Sequence, residues 1–115
     1  MKKVLFTLSL LALAIVAKAQ GNLQFNQVIT GATSLSIGAN SALLTVPANK
    51  VWKIEAVNMP AVTGMQMQIN SIGTSIGNCI FPFWLKAGNT FAVFNGATSA
   101  AYSIQYSIIE FNIIP

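Results

Sequence analysis

Residues 51–58 read Val-Trp-Lys-Ile-Glu-Ala-Val-Asn, which places Trp52, Ile54 and Ala56 on one side of an extended backbone and Lys53 and Glu55 on the other. Side chains alternate across a strand, so this pattern marks a strand with one face on a core and one in water. Residues 65–70 repeat it, with Met65, Met67 and Ile69 inward and Gln66, Gln68 and Asn70 outward. Further runs rich in Thr, Val, Ile, Phe and Tyr span 23–29, 33–37, 42–46, 79–84 and 90–94, and a longer one closes the chain over 102–113. Gly and Asn separate them, and helical periodicity is missing after the first twenty residues. About eight short strands with alternating faces predict an all-β fold, an antiparallel β-sandwich in which each inner face covers the other.

The irregular positions carry expectations of their own. Pro82 lacks an N–H and gives the run 79–84 an edge position or an irregular entry rather than a central place in a sheet. Asn95-Gly96 predicts a type I′ hairpin, because both residues tolerate positive φ. In the first run the alternation slips at Val28-Ile29. In the last, Tyr102, Ile104, Tyr106 and Ile108 share a face, after which Ile109, Phe111 and Ile113 become the apolar set against Glu110 and Asn112. That crossover predicts a bulge near 108 and 109, or a passage between two packing environments.

The chain opens with Lys2 and Lys3, continues through an apolar run from Val4 to Val16 and reaches Ala17-Lys18-Ala19. A basic start, an apolar centre too short to span a bilayer and a small-x-small site read as a signal peptide cleaved near Ala19/Gln20. Residues 20–115 then form a single domain, secreted or at the cell surface, with no membrane insertion of the mature chain. The formal charge of +4 belongs mostly to that leader. Lys50, Lys53 and Lys86 against Glu55 and Glu110 leave three minus two, or +1. Without arginine and with so few lysines there is no basic stripe for phosphates, which excludes a nucleic-acid partner.

The same poverty bears on chemistry. The sequence holds no His and no Asp, and its two glutamates lie 55 residues apart in apparently regular strands. Imidazole bases, paired carboxylates and the Cys/His or polycarboxylate sets that bind zinc or calcium are not readily assembled from it. The reading is a non-enzymatic protein with no cofactor, no metal and no catalytic residue. Cys79, the only cysteine, cannot form an internal disulfide; beside Ile80 and Phe81 it is expected to be a buried, unreactive thiol, with an intermolecular bridge as the alternative.

Three stretches, 46–54, 84–91 and 102–111, resemble small exported jelly-roll proteins of the Bacteroidetes type and phage fibre or capsid modules. The resemblance rests on turn-plus-strand signatures such as Val46-Pro47-Ala48-Asn49-Lys50 and Trp84-Leu85-Lys86-Ala87-Gly88-Asn89. It implies a jelly-roll-like β-sandwich that assembles or adheres, and it transfers no catalytic residue.

A surface built from Asn, Gln, Ser and Thr repels copies of itself weakly. The leading expectation is therefore a structural protein that self-assembles into an oligomer or filament, with copies of itself as partner. The second is a carbohydrate-binding or adhesin-like module that stacks a glycan on exposed aromatics. The candidate interface or ligand face is Trp84, Phe83, Tyr102, Tyr106, Phe111 and Ile113.

Overall fold

The computed structural model describes residues 22–114, so the expected leader and its cleavage site lie outside the described residues. Among the described residues there are eight strands: β1 (Asn22–Leu35), β2 (Leu44–Thr45), β3 (Lys50–Asn58), β4 (Met65–Ile69), β5 (Ile72–Ser75), β6 (Phe83–Lys86), β7 (Thr90–Asn95) and β8 (Tyr102–Ile114). They form two four-stranded sheets, ordered β1-β8-β3-β6 and β2-β7-β4-β5. Every pairing is antiparallel. The chain is thus all-β, with two antiparallel sheets packed together.

The pairing is nested. β1 pairs with β8, β2 with β7, β3 with β6 and β4 with β5, so the first half of the chain doubles back along the second. Lateral pairings of β3 with β8 and β4 with β7 then join the arms of that long hairpin into sheets.

Between the sheets lies one core. The first sheet contributes Leu35, Trp52, Ile54, Val57, Leu85, Ile104 and Ile108, the second Met65, Met67, Phe91 and Val93, and the loops Val46 and Met59. Met65 and Met67 fill it as their spacing predicts, and Ile69 packs at its margin. Full burial of side chains of this size stabilises by about 1.5–3 kcal/mol each, the dominant favourable term in a domain without an internal disulfide.

Several local expectations are corrected. Runs 23–29 and 33–37 are one strand, because Thr30-Gly31-Ala32 continues in register against Tyr106 and its neighbours on β8. Gly31 is required there. A Cβ at this position would clash with Cζ and the hydroxyl of Tyr106. The final strand has no bulge of its own: Ile104, Ile108 and Glu110 all face inward. The irregularities sit on its two partners, at Asn26 of β1 and at Glu55 of β3. The β3 bulge also turns Ala56 out to solvent and brings Val57 into the core.

Asn95-Gly96 does not form a type I′ hairpin. β7 and β8 belong to different sheets, and neither residue adopts positive φ. Asn95 is instead fully buried, donating from Nδ2 to the carbonyls of Leu35 (2.9 Å) and Ala100 (3.1 Å) and accepting from Ala97 N–H (3.0 Å). The positive-φ hairpin lies at Asn70-Ser71, with φ of 50° and 65°, where it creates the unanticipated strand β5. Of the run 79–84 only Phe83 and Trp84 enter a strand: Pro82 lies in an irregular entry just before β6, which is itself an edge strand. Cys79 is half-buried rather than buried. Its Sγ donates to the Ser75 carbonyl at 3.4 Å, and desolvation pushes the thiol pKa up.

Candidate functional site: an apolar outer face over a buried carboxylate

Strand pairing fixes which side chains share the outer face of the first sheet. Leu23 pairs with Ile113, Phe25 with Phe111 and Val28 with Ile109 across β1 and β8. Val51 of β3 lies against Phe111 on one side and Lys86 on the other, and Lys53 lies between Ile109 and Trp84. None of these side chains faces the core. Phe25 is 59% exposed, Val28 53% and Trp84 52%, with Leu23 and Ile113 only slightly more covered. An apolar stripe therefore crosses four strands at one end of the sheet.

Two aromatics define its middle. The Trp84 and Phe111 rings are tilted at 33° with centroids 5.5 Å apart. Lys53 Nζ stands 5.9 Å from the Trp84 centroid while pairing with Glu55 at 2.6 Å. Such a cation near an indole face adds attraction of about 0.5–1 kcal/mol at an exposed site. Further along the same face, a shallow depression of about 400 Å³ is lined by Thr30, Ala32, Ala56, Asn58, Gln105 and Ser107 with Gly31 and Tyr106 at its floor.

Of the six predicted interface residues, Trp84, Phe111 and Ile113 come together on this face. Phe83 and Tyr102 do not: they are half-buried and pack against the core. Tyr106 packs there as well, edge-on to Phe91 at 5.4 Å, and reaches the face only at the floor of the depression. Leu23, Phe25 and Val28 share the face without being among the six. Their signal was the slip of alternation before Val28, which is the Asn26 bulge keeping both halves of β1 apolar outward.

That bulge serves the opposite face. Asn26 and Gln27 both turn toward Glu110, which is only 3% exposed. Asn26 Nδ2 donates to Glu110 Oε1 at 2.6 Å and Gln27 Nε2 to the same oxygen at 3.0 Å, while Trp52 Nε1 donates to Oε2 at 2.7 Å. Lys50 Nζ stands 4.0 Å from Oε1 and donates to Asn112 Oδ1. Asn112 Nδ2 in turn approaches Asn26 Oδ1 at 3.4 Å.

Desolvation pushes the Glu110 pKa up, but the three donors and the Lys50 charge outweigh it and hold the carboxyl below its ordinary value. Two short bonds and one of ordinary length are what ionised acceptors form. Among the described residues no group of three His, Cys, Asp or Glu side chains gathers as a metal site. No helix among them is long and apolar enough to cross a membrane.

Comparison with known protein families, with curated proteins and with solved structures returns no match to this chain.

Proposed function

We propose that this chain is an exported, non-enzymatic structural protein of jelly-roll topology that assembles with copies of itself into an oligomer or filament. The observation behind this reading is the outer face of the first sheet, where Leu23, Phe25, Val28, Trp84 and Ile113 stand exposed side by side. An apolar patch of this continuity costs free energy in water and is characteristic of an interaction surface. The neutral polar remainder, with three lysines and two glutamates after the leader, opposes contact between copies only weakly. The topology rests on the nested pairing, since a long hairpin wound around a common core gives the strand orders β1-β8-β3-β6 and β2-β7-β4-β5.

The two tryptophans make the test direct, because Trp52 is buried and Trp84 exposed. Light scattering across a concentration series should show association. Acrylamide quenching of Trp84 should fall as association proceeds, and the Phe25→Ser/Trp84→Ser variant should remain a folded monomer. A wild-type protein that stays monomeric at the highest soluble concentration overturns the proposal.

A second reading is favoured by one feature. Trp84 and Phe111 share the outer face with the depression flanked by Thr30, Asn58, Gln105 and Ser107, a combination of ring faces and hydrogen-bonding groups suited to a glycan. Binding on a glycan array that Trp84→Ala removes would favour it over self-assembly.

A further inference from the structure

We infer that Lys50 and Asn112 become joined by an intramolecular isopeptide bond, with Glu110 moving the protons. Lys50 on β3 and Asn112 on β8 are direct cross-strand partners. The Lys50 amine already donates to the Asn112 carboxamide oxygen, so the carbonyl carbon lies one C=O bond beyond that contact. The other end of the carboxamide is turned toward Asn26. A nucleophile and an electrophile held on adjacent, fully paired strands react as one molecule, which raises effective concentrations by orders of magnitude.

The third participant is in place. Glu110 lies two residues before Asn112, is nearly inaccessible to solvent and is fixed by Trp52, Asn26 and Gln27. Its Oε1 stands 4.0 Å from Lys50 Nζ, a gap that rotation about the lysine stem closes without moving the backbone. Among the described residues Glu110 is the only acidic group at this site, and Lys50 is the only cation.

The reaction balances without an added reagent. Glu110 takes a proton from the lysine ammonium, and the neutral amine adds through its lone pair to Cγ of Asn112. The carbonyl π electrons move to Oδ1. As the tetrahedral centre collapses, the Cγ–Nδ2 bond breaks and Nδ2 leaves with its two hydrogens and the proton held by Glu110, as ammonia. The second proton of the attacking nitrogen leaves to solvent with that step, and ammonia in water takes up one in return. The C–N bond formed replaces the C–N bond broken, and nothing is oxidised or reduced. Three hydrogen-bond donors aimed at Glu110 disfavour a lasting proton there, so the carboxyl relays it rather than keeping it. The bond would clamp β3 to β8 in a domain whose single cysteine cannot do so internally.

Peptide mapping of the purified full-length product tests this. Trypsin cuts after free lysine, so the unlinked chain yields a peptide ending at Lys50 and a separate peptide 87–115. The linked chain instead yields one branched species in which the peptide ending at Lys53 is joined to 87–115, lighter by about 17 Da, the mass of ammonia. Lys50→Arg and Asn112→Ala should each abolish the branched species. Glu110→Gln should abolish it or slow its appearance at least tenfold, and far-UV circular dichroism would show that the variant is folded. Recovery of free 87–115 together with a peptide ending at Lys50, from aged wild-type protein, overturns the inference. A whole-chain loss of about 17 Da with free 87–115 also overturns it, since cyclisation of an N-terminal Gln20 gives the same mass change elsewhere. The outcome is independent of whether copies of the chain associate.

Discussion

Trp52 and Glu110 are cross-strand partners on β3 and β8, and the indole N–H donates to the carboxylate across 2.7 Å inside the sandwich. The contact explains why an apparently polar interruption of β8 can point inward: Glu110 follows Ile108 on the core side because both of its carboxylate oxygens have donors. A buried acceptor that loses a donor bears the desolvation cost alone. Trp52→Phe keeps a ring in place but leaves Oε2 without that partner, and also removes buried volume. The expected loss of stability is about 3 kcal/mol, read from urea unfolding at neutral pH with an unchanged m-value.

Acid should reach the same site. The folded carboxyl of Glu110 titrates below its unfolded value, so the group stabilises the fold fully above the unfolded pKa of about 4.3. That contribution is lost as pH falls through the lower folded value. Lys50 is the charged group facing it among the described residues until the bond to Asn112 forms, and Trp52, Asn26 and Gln27 are neutral. Urea midpoints between pH 7 and pH 2 should therefore decline on the acid side. In Glu110→Gln the neutral-pH stability should be lower and the acid decline shallower, and equal slopes in both proteins would contradict the assignment.

Much of this could be read in the residues, and the failures have physical causes. The clear alternations at Trp52/Ile54 and Met65/Met67 gave their strands and inward faces correctly, because one face of each is buried and the other is polar. Bulges were harder to place. The crossover of apolar residues at Ile108 and Ile109 suggested a bulge in β8, yet β8 is regular and both of its neighbours carry the extra residue. An apolar outer face looks in sequence like a change of face. Asn95-Gly96 misled for a related reason: its turn chemistry is real, but the Asn95 side chain has buried backbone partners that a hairpin would have left unmet. The carboxylate network was invisible because Asn26, Trp52 and Glu110 meet only through pairings distant in the chain.

The length of β1 depends on one residue without a side chain. Gly31 lies under the Tyr106 ring, which is itself held edge-on against Phe91. Gly31→Ala must displace that ring, an overpacking cost of about 1–3 kcal/mol. Tyr106→Ala alone should also destabilise by opening a cavity. Combined, the two substitutions should cost clearly less than their sum, because the ring that the added methyl group would displace is gone. A double-mutant cycle from thermal or urea unfolding measures the coupling, and strict additivity would show that the contact does not limit this strand.

The β4–β5 hairpin offers a stabilising change. Asn70 and Ser71 both hold positive φ, and the Ile69–Ile72 pair closes a two-residue turn between them. Asn tolerates the left-handed region because its short polar side chain bonds locally, and here Asn70 Oδ1 also accepts from Thr90 N–H at 2.9 Å. Ser71 has no such compensation among the described hydrogen bonds, is exposed and bears a Cβ in a conformation that favours glycine. Ser71→Gly creates the Asn-Gly pair preferred by a type I′ turn. The relief of left-handed strain, about 1 kcal/mol, is partly offset by the greater freedom of glycine in the unfolded chain. A net gain of about 0.5 kcal/mol should appear as a higher urea midpoint. Asn70→Gly should not give it, since relieving the same strain there also removes the side-chain bond to Thr90, one of two that tie the turn to β7.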